Sequence, residues 1–146
     1  MTIVHSRAAN GTVNTPRPQT AGAVHAAKFS IAIASALAAG TILELGVLPA
    51  FAQVVDYKLV PEGDFGEVTC SGGLMTGELG SDDEARTVGT ELFEAGTALD
   101  AAASPDLPSA FAIKSIEGDR GIGLEFSGEV AGAPDKRLTL ILFYHQ

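Results

Sequence analysis

The sequence predicts an α+β domain: a small antiparallel sheet in the order β-β-α-β-β-β with one helix packed against it. Three observations carry this expectation. β-rich runs at residues 53–60, 110–117, 122–130 and 137–145 are separated by turn-forming clusters. A capping-box pattern, Ser81-Asp82-Asp83-Glu84, stands ahead of apolar residues spaced by three and four. Residues 29–48 form an apolar run followed by small residues, which sets the first third of the chain apart from the rest.

That first third contains no acidic residue before Glu44, while Arg7, Arg17 and Lys28 precede it. The apolar run from Phe29 to Leu43 suits the h-region of an export signal and is too short to span a bilayer comfortably. Glu44 interrupts it, a further four residues resume it, and Pro49 breaks any helix. Ala50-Phe51-Ala52 then matches an A-x-A cleavage signature. The expected organisation is therefore an n-region at 1–28, an h-region at 29–48, cleavage after Ala52, and Gln53 as the first residue of a single small acidic domain, 53–146. Two alternatives are an uncleaved twenty-residue anchor over 29–48 and a buried core helix over the same residues.

Within the domain, the strand at 53–60 stops at Pro61-Glu62-Gly63-Asp64, and a shorter one at 65–70 ends at Ser71-Gly72-Gly73. Behind the capping box, Ala85, Val88, Leu92, Ala95 and Leu99 place one apolar stripe on a helix. Gly89 and Gly96 weaken it by up to about 1 kcal/mol each, and Pro105 and Pro108 bound its far end. In the strand at 122–130, Ile122, Leu124 and Phe126 alternate with Gly123, Glu125 and Ser127, so one face is expected to be buried. The last strand is apolar on both faces, which predicts a central position or a helix over its second face. Short turns between the last three strands favour a meander. The alternative fold is an all-β sandwich in which residues 85–99 are strands.

Composition limits the chemistry. The chain has 146 residues, 46% apolar and 18% charged, enough for one domain and too apolar for a disordered one. Nine Lys+Arg against eighteen Asp+Glu give a net charge of −9, which excludes a surface built to neutralise nucleic-acid phosphates. A lone cysteine, Cys70, excludes an intrachain disulfide and a thiolate zinc cluster. Cys70 is expected as a free thiol or as the link in a disulfide homodimer. A nucleophilic Cys70 would need His145 to hold its thiolate, but His145 is the penultimate residue, where chains fray. Asp82, Asp83, Glu84 and Asp119 offer oxygen ligands without the alternating spacing of a calcium loop, and helix capping already accounts for the first three. The glycines at 72–73 and at 118, 121 and 123 lack the Lys-Ser/Thr pair and following helix of a phosphate loop.

The expected function is thus a non-enzymatic binding or structural module, exported to the periplasm, cell envelope or extracellular space. It would use no cofactor and meet a membrane only through an uncleaved leader. The alternatives are a small enzyme centred on Cys70 and a membrane-anchored subunit of a larger complex.

Overall fold

Where apolar residues alternate with polar ones this chain forms strands with one covered face, and where it is apolar throughout it forms strands buried on both. The computed structural model describes residues 2–16 and 23–146. Its strands are β1 (Ile3–His5), β2 (His25–Ala32), β3 (Ile42–Leu48), β4 (Gln53–Glu62), β5 (Thr69–Leu74), β6 (Phe93–Ala98), β7 (Arg120–Phe126) and β8 (Arg137–His145). One helical turn, α1 (Pro108–Phe111), lies between β6 and β7. A five-stranded sheet runs β1-β3-β7-β5-β6 and a three-stranded sheet runs β2-β8-β4. The pairing of β1 with β3 is parallel, and the other strand pairs are antiparallel.

The sheets pack face to face. Leu43, Ile122, Leu124 and Phe126 of the larger sheet share one core with Tyr57, Leu59, Leu138, Leu140 and Leu142 of the smaller. The sheets approach closely at Gly46, where a Cβ would lie 2.9 Å from Phe29 Cδ2 and 3.1 Å from Leu140 Cδ2. Gly46 sits just past a bulge at Glu44/Gly46, which lets β3 bend over the facing sheet.

This is an all-β sandwich, and it corrects the α+β expectation in four places. No helix follows Ser81. Its hydroxyl accepts from the Asp83 N–H at 3.2 Å, and the Asp83 carboxylate accepts from the Ala85 N–H at 2.9 Å. The side chains expected to cap a helix close two successive turns instead. Leu92 and Leu99 are buried beside Phe93, while Ala85 and Ala95 of the same stripe are exposed, and β6 occupies 93–98. Residues 110–117, expected as a strand, hold the end of α1 and an irregular segment, because Pro108 starts a helical turn. β7 and β8, expected as neighbours in a meander, lie in opposite sheets.

The fourth correction concerns the apolar run. Residues 29–48 are not a signal-type segment: they make the second half of β2 and all of β3, with Leu43, Leu45 and Leu48 fully buried. Ala50-Phe51-Ala52 is the tight turn from β3 to β4, closed by Ala52 N–H donating to Pro49 O at 3.1 Å. Phe51 takes a φ of 62° there, an unusual value for a side chain of its size. Among the described residues no helix is long and apolar enough to cross a membrane.

Candidate functional site

Glu44 is the charged residue that the sequence placed inside an apolar run, and the structure shows what surrounds it. β3 carries it on the face of the larger sheet turned away from the other sheet, paired in register with Gly123. The loop 75–92 folds over that face and brings Arg86 onto it. Glu44 is 0% exposed and Arg86 2%. Arg86 Nη2 donates to Glu44 Oε1 at 2.5 Å and Nη1 to Oε2 at 3.2 Å, a bidentate pair. Two further guanidinium donors are used: Nε reaches Thr76 O at 2.8 Å and Nη1 reaches Ser81 O at 2.8 Å. Glu44 Oε2 accepts in addition from Gly80 N–H at 3.2 Å. His5, from β1, lies with Nδ1 2.5 Å from Glu44 Oε2 and Nε2 2.9 Å from Asp82 Oδ1.

The cluster therefore clamps three segments together: the edge strand β1, its neighbour β3 and the loop 75–92. Space for it comes from glycine. A Cβ on Gly121 would collide with Glu44 Oε1, and one on Gly73 with the Glu91 carboxylate, which accepts from Leu74 N–H at 3.1 Å. Glu44 and Arg86 are paired with each other, buried and multiply hydrogen-bonded. The chemistry of the clamp is that of a structural fastening.

Cys70 lies in β5, paired in register with Phe126 and Thr97, and is 2% exposed and free. His145 lies in β8 of the other sheet, so the structure does not bring the two together. Burial pushes the Cys70 thiol up to about 12, far from a reactive thiolate. Alkylation by iodoacetamide at pH 7–8 is expected to be negligible in the native chain and complete within minutes in denaturant. Fast native labelling would show that β5 opens. The folded chain also holds this proton more tightly than the unfolded one. That contribution to stability is intact below pH 9 and is lost as pH rises from 9 towards 12.

Asp82 is engaged by His5, Asp83 closes a turn, and Asp119 accepts from Ala50 N–H at 2.9 Å. Among the described residues no group of three or more His, Cys, Asp or Glu could hold a metal ion. The exposed large apolar side chains include Phe51, Val55, Phe111 and Ile116. Phe51 N–H donates to Ile116 O at 2.8 Å, and the Phe111 ring lies 6.2 Å from that of Tyr57, two residues beyond Val55. The clamp was not visible in the sequence, since the only signal of it was a carboxylate where apolar residues were expected.

No family model matches the chain, and no curated protein matches it by sequence. Solved structures do. A chain of the capsid of Ralstonia phage GP4 superposes with a TM-score of 0.88 and 40% identity, over 99% of this chain and 97% of that one. A chain of the Cyanophage Pam1 capsid asymmetric unit superposes at 0.57 with 18% identity, over 91% of each chain. One from the acidic stable capsid structure of Helicobacter pylori bacteriophage KHP30 superposes at 0.55 with 15% identity, over 87% of this chain and 90% of that one. The last two show a common fold.

The likeness to the GP4 capsid chain corrects the expectation of an exported periplasmic, envelope or extracellular module, with its signal peptide and its Cys70-linked homodimer. A buried Cys70 could not form that link without unfolding β5. The chain is not an enzyme, in keeping with the structural proteins it resembles. It belongs to the family of phage capsid proteins represented by that chain of the Ralstonia phage GP4 capsid.

Proposed function

We propose that this chain is a structural subunit of a phage capsid, carried on the outer side of the shell. The observation that carries the reading is the 40% identity, over nearly the whole of both chains, with a chain of the GP4 capsid. The architecture suits the role: two sheets joined by a continuous apolar core, with loop and first strand fastened by a buried ionic clamp, resist deformation. Charge supports the outer position. A subunit of net charge −9 facing packaged nucleic acid would be repelled by it, whereas the same charge facing solvent favours solubility. The exposed side chains of Phe51, Val55, Phe111 and Ile116 supply apolar area for contact with neighbouring subunits.

Mass spectrometry of gradient-purified particles is the test, combined with an amine-reactive reagent that does not cross an intact shell. The chain is expected in fixed ratio to the most abundant shell protein, with the exposed Lys58 labelled on intact particles. Absence from purified particles would overturn the capsid reading, and labelling only after particle disruption would overturn the outer placement.

A further inference from the structure

Sheet edges in a free-standing sandwich are normally protected against pairing with other chains, and three of the four edges here are. β1 has only three residues. β4 carries a bulge at Val54/Asp56, has Pro61 within it, and is bridged by Ala103 at Leu59. β6 is short, irregularly paired with β5 and interrupted by Gly96 at a φ of 91°. β2 differs. It pairs with β8 through eight consecutive positions without a bulge and contains no proline. At about 3.3 Å per residue this is an edge of about 26 Å.

The ladder sets which groups face outward. Ile33 N–H donates to Lys136 O at 2.9 Å, on the β8 side, and inward and outward bonding alternate along an antiparallel strand. The backbone groups of Ala26, Lys28, Ser30 and Ala32 therefore point to the open side. β1, the edge of the other sheet, runs beside them. Between the two edges lie an apolar depression of about 310 Å³, lined by Val4, Ile31, Ile33, Leu37 and Leu43, and a second one lined by Arg7 and Lys28. No acidic side chain lines either. Arg137, exposed, joins this basic border by donating to Ser30 Oγ at 3.1 Å. On a chain of net charge −9 this concentration of positive charge is local and specific.

We propose that the β2 edge is a strand-addition site, which takes an extended segment of a neighbouring capsid subunit whose apolar side chains alternate with carboxylates. These amide groups, unpaired among the described residues, supply the ladder, the depression beside Ile31 takes alternate apolar side chains, and Arg7, Lys28 and Arg137 pair with the carboxylates. A second copy of this chain is the wrong occupant. Two β2 edges meeting antiparallel about a twofold axis would oppose Lys28 and Arg7 of one copy to those of the other. The inference rests on the capsid reading above and specifies how the subunit is held.

The test uses shells assembled without this chain, to which the full chain is added, and hydrogen exchange read at residues 24–33 before and after binding. The outward amides of Ala26, Lys28, Ser30 and Ala32 are expected to exchange rapidly in the free chain and about a hundredfold more slowly on shells. Lys28→Glu is expected to weaken shell binding about tenfold with an unchanged thermal melt, and Lys28→Pro, which removes one outward donor, to weaken it as well. Binding with the four amides still fast, or Lys28→Glu binding like the parent chain, would overturn the strand-addition site and leave the capsid reading standing. Protection of the same amides in a self-associated free chain would overturn the choice of occupant. Failure of the parent chain to bind shells at all would remove the capsid reading itself.

Discussion

Removing residues 1–52 is expected to abolish cooperative folding of the remainder. The loss would take β3 from between β1 and β7, and β2 from beside β8, leaving β7 and β8 each with one bare edge. It would also uncover the core from below, since Leu43, Leu45 and Leu48 are completely buried. At about 2–3 kcal/mol for each such side chain, these three alone approach the total stability of a domain of this size, about 5–15 kcal/mol. The Tyr144 hydroxyl would lose its acceptor as well, the carbonyl of Pro16. Near-ultraviolet circular dichroism and a thermal melt check this. The full chain should give a single sharp transition and residues 53–146 none. A sharp melt from the shorter chain would mean that the core does not depend on its first three strands.

Arg86→Ala is expected to cost about 3–5 kcal/mol, because it strands the Glu44 carboxylate away from water. Glu44→Gln should cost less, since the amide keeps the shape and can still accept from Gly80 N–H. Replacing both residues by apolar ones of similar volume should recover much of the loss, as the desolvation of two charges is then avoided. Urea denaturation of the three variants measures this. If Arg86→Ala shifts the midpoint no more than an exposed-site substitution would, the clamp does not hold the loop 75–92 to the sheet.

The parts of the fold that the sequence shows well are strands with one wet face or with sharp turn signals at their ends. β4, expected at 53–60, spans Gln53–Glu62, and β8, apolar on both faces but bounded by the turn cluster before it, spans the residues expected of it and is central in its sheet. In β7 the alternation of Ile122, Leu124 and Phe126 with Gly123, Glu125 and Ser127 points inward as read, except that Gly123 is covered by the loop above it. Where a strand is buried on both faces this signal vanishes. β3 is covered at all seven positions, so its run of Ile, Leu and Val has no period to read and matches an h-region equally well. The Ser-x-x-Glu signature failed for another reason: the side-chain acceptors that cap a helix also close turns, and only the packing of Leu92 and Phe93 against the core decides between them. The clamp was hidden because its members, at positions 5, 44, 82 and 86, meet only through the sheet order.

That sheet order also governs when this chain can fold. β2 finds its partner in β8, where His25 faces Tyr144 and Ala32 faces Arg137, and β3 waits for β7. While a ribosome still covers β7 and β8, β2 has no strand to pair with and β3 has only the three-residue β1. Folding must then wait until β7 and β8 have emerged, and such non-local pairing is slow, about milliseconds to seconds. A virus-infected cell producing many copies at once would hold a standing pool of newly made, unpaired chains, for which chaperones and premature aggregation compete.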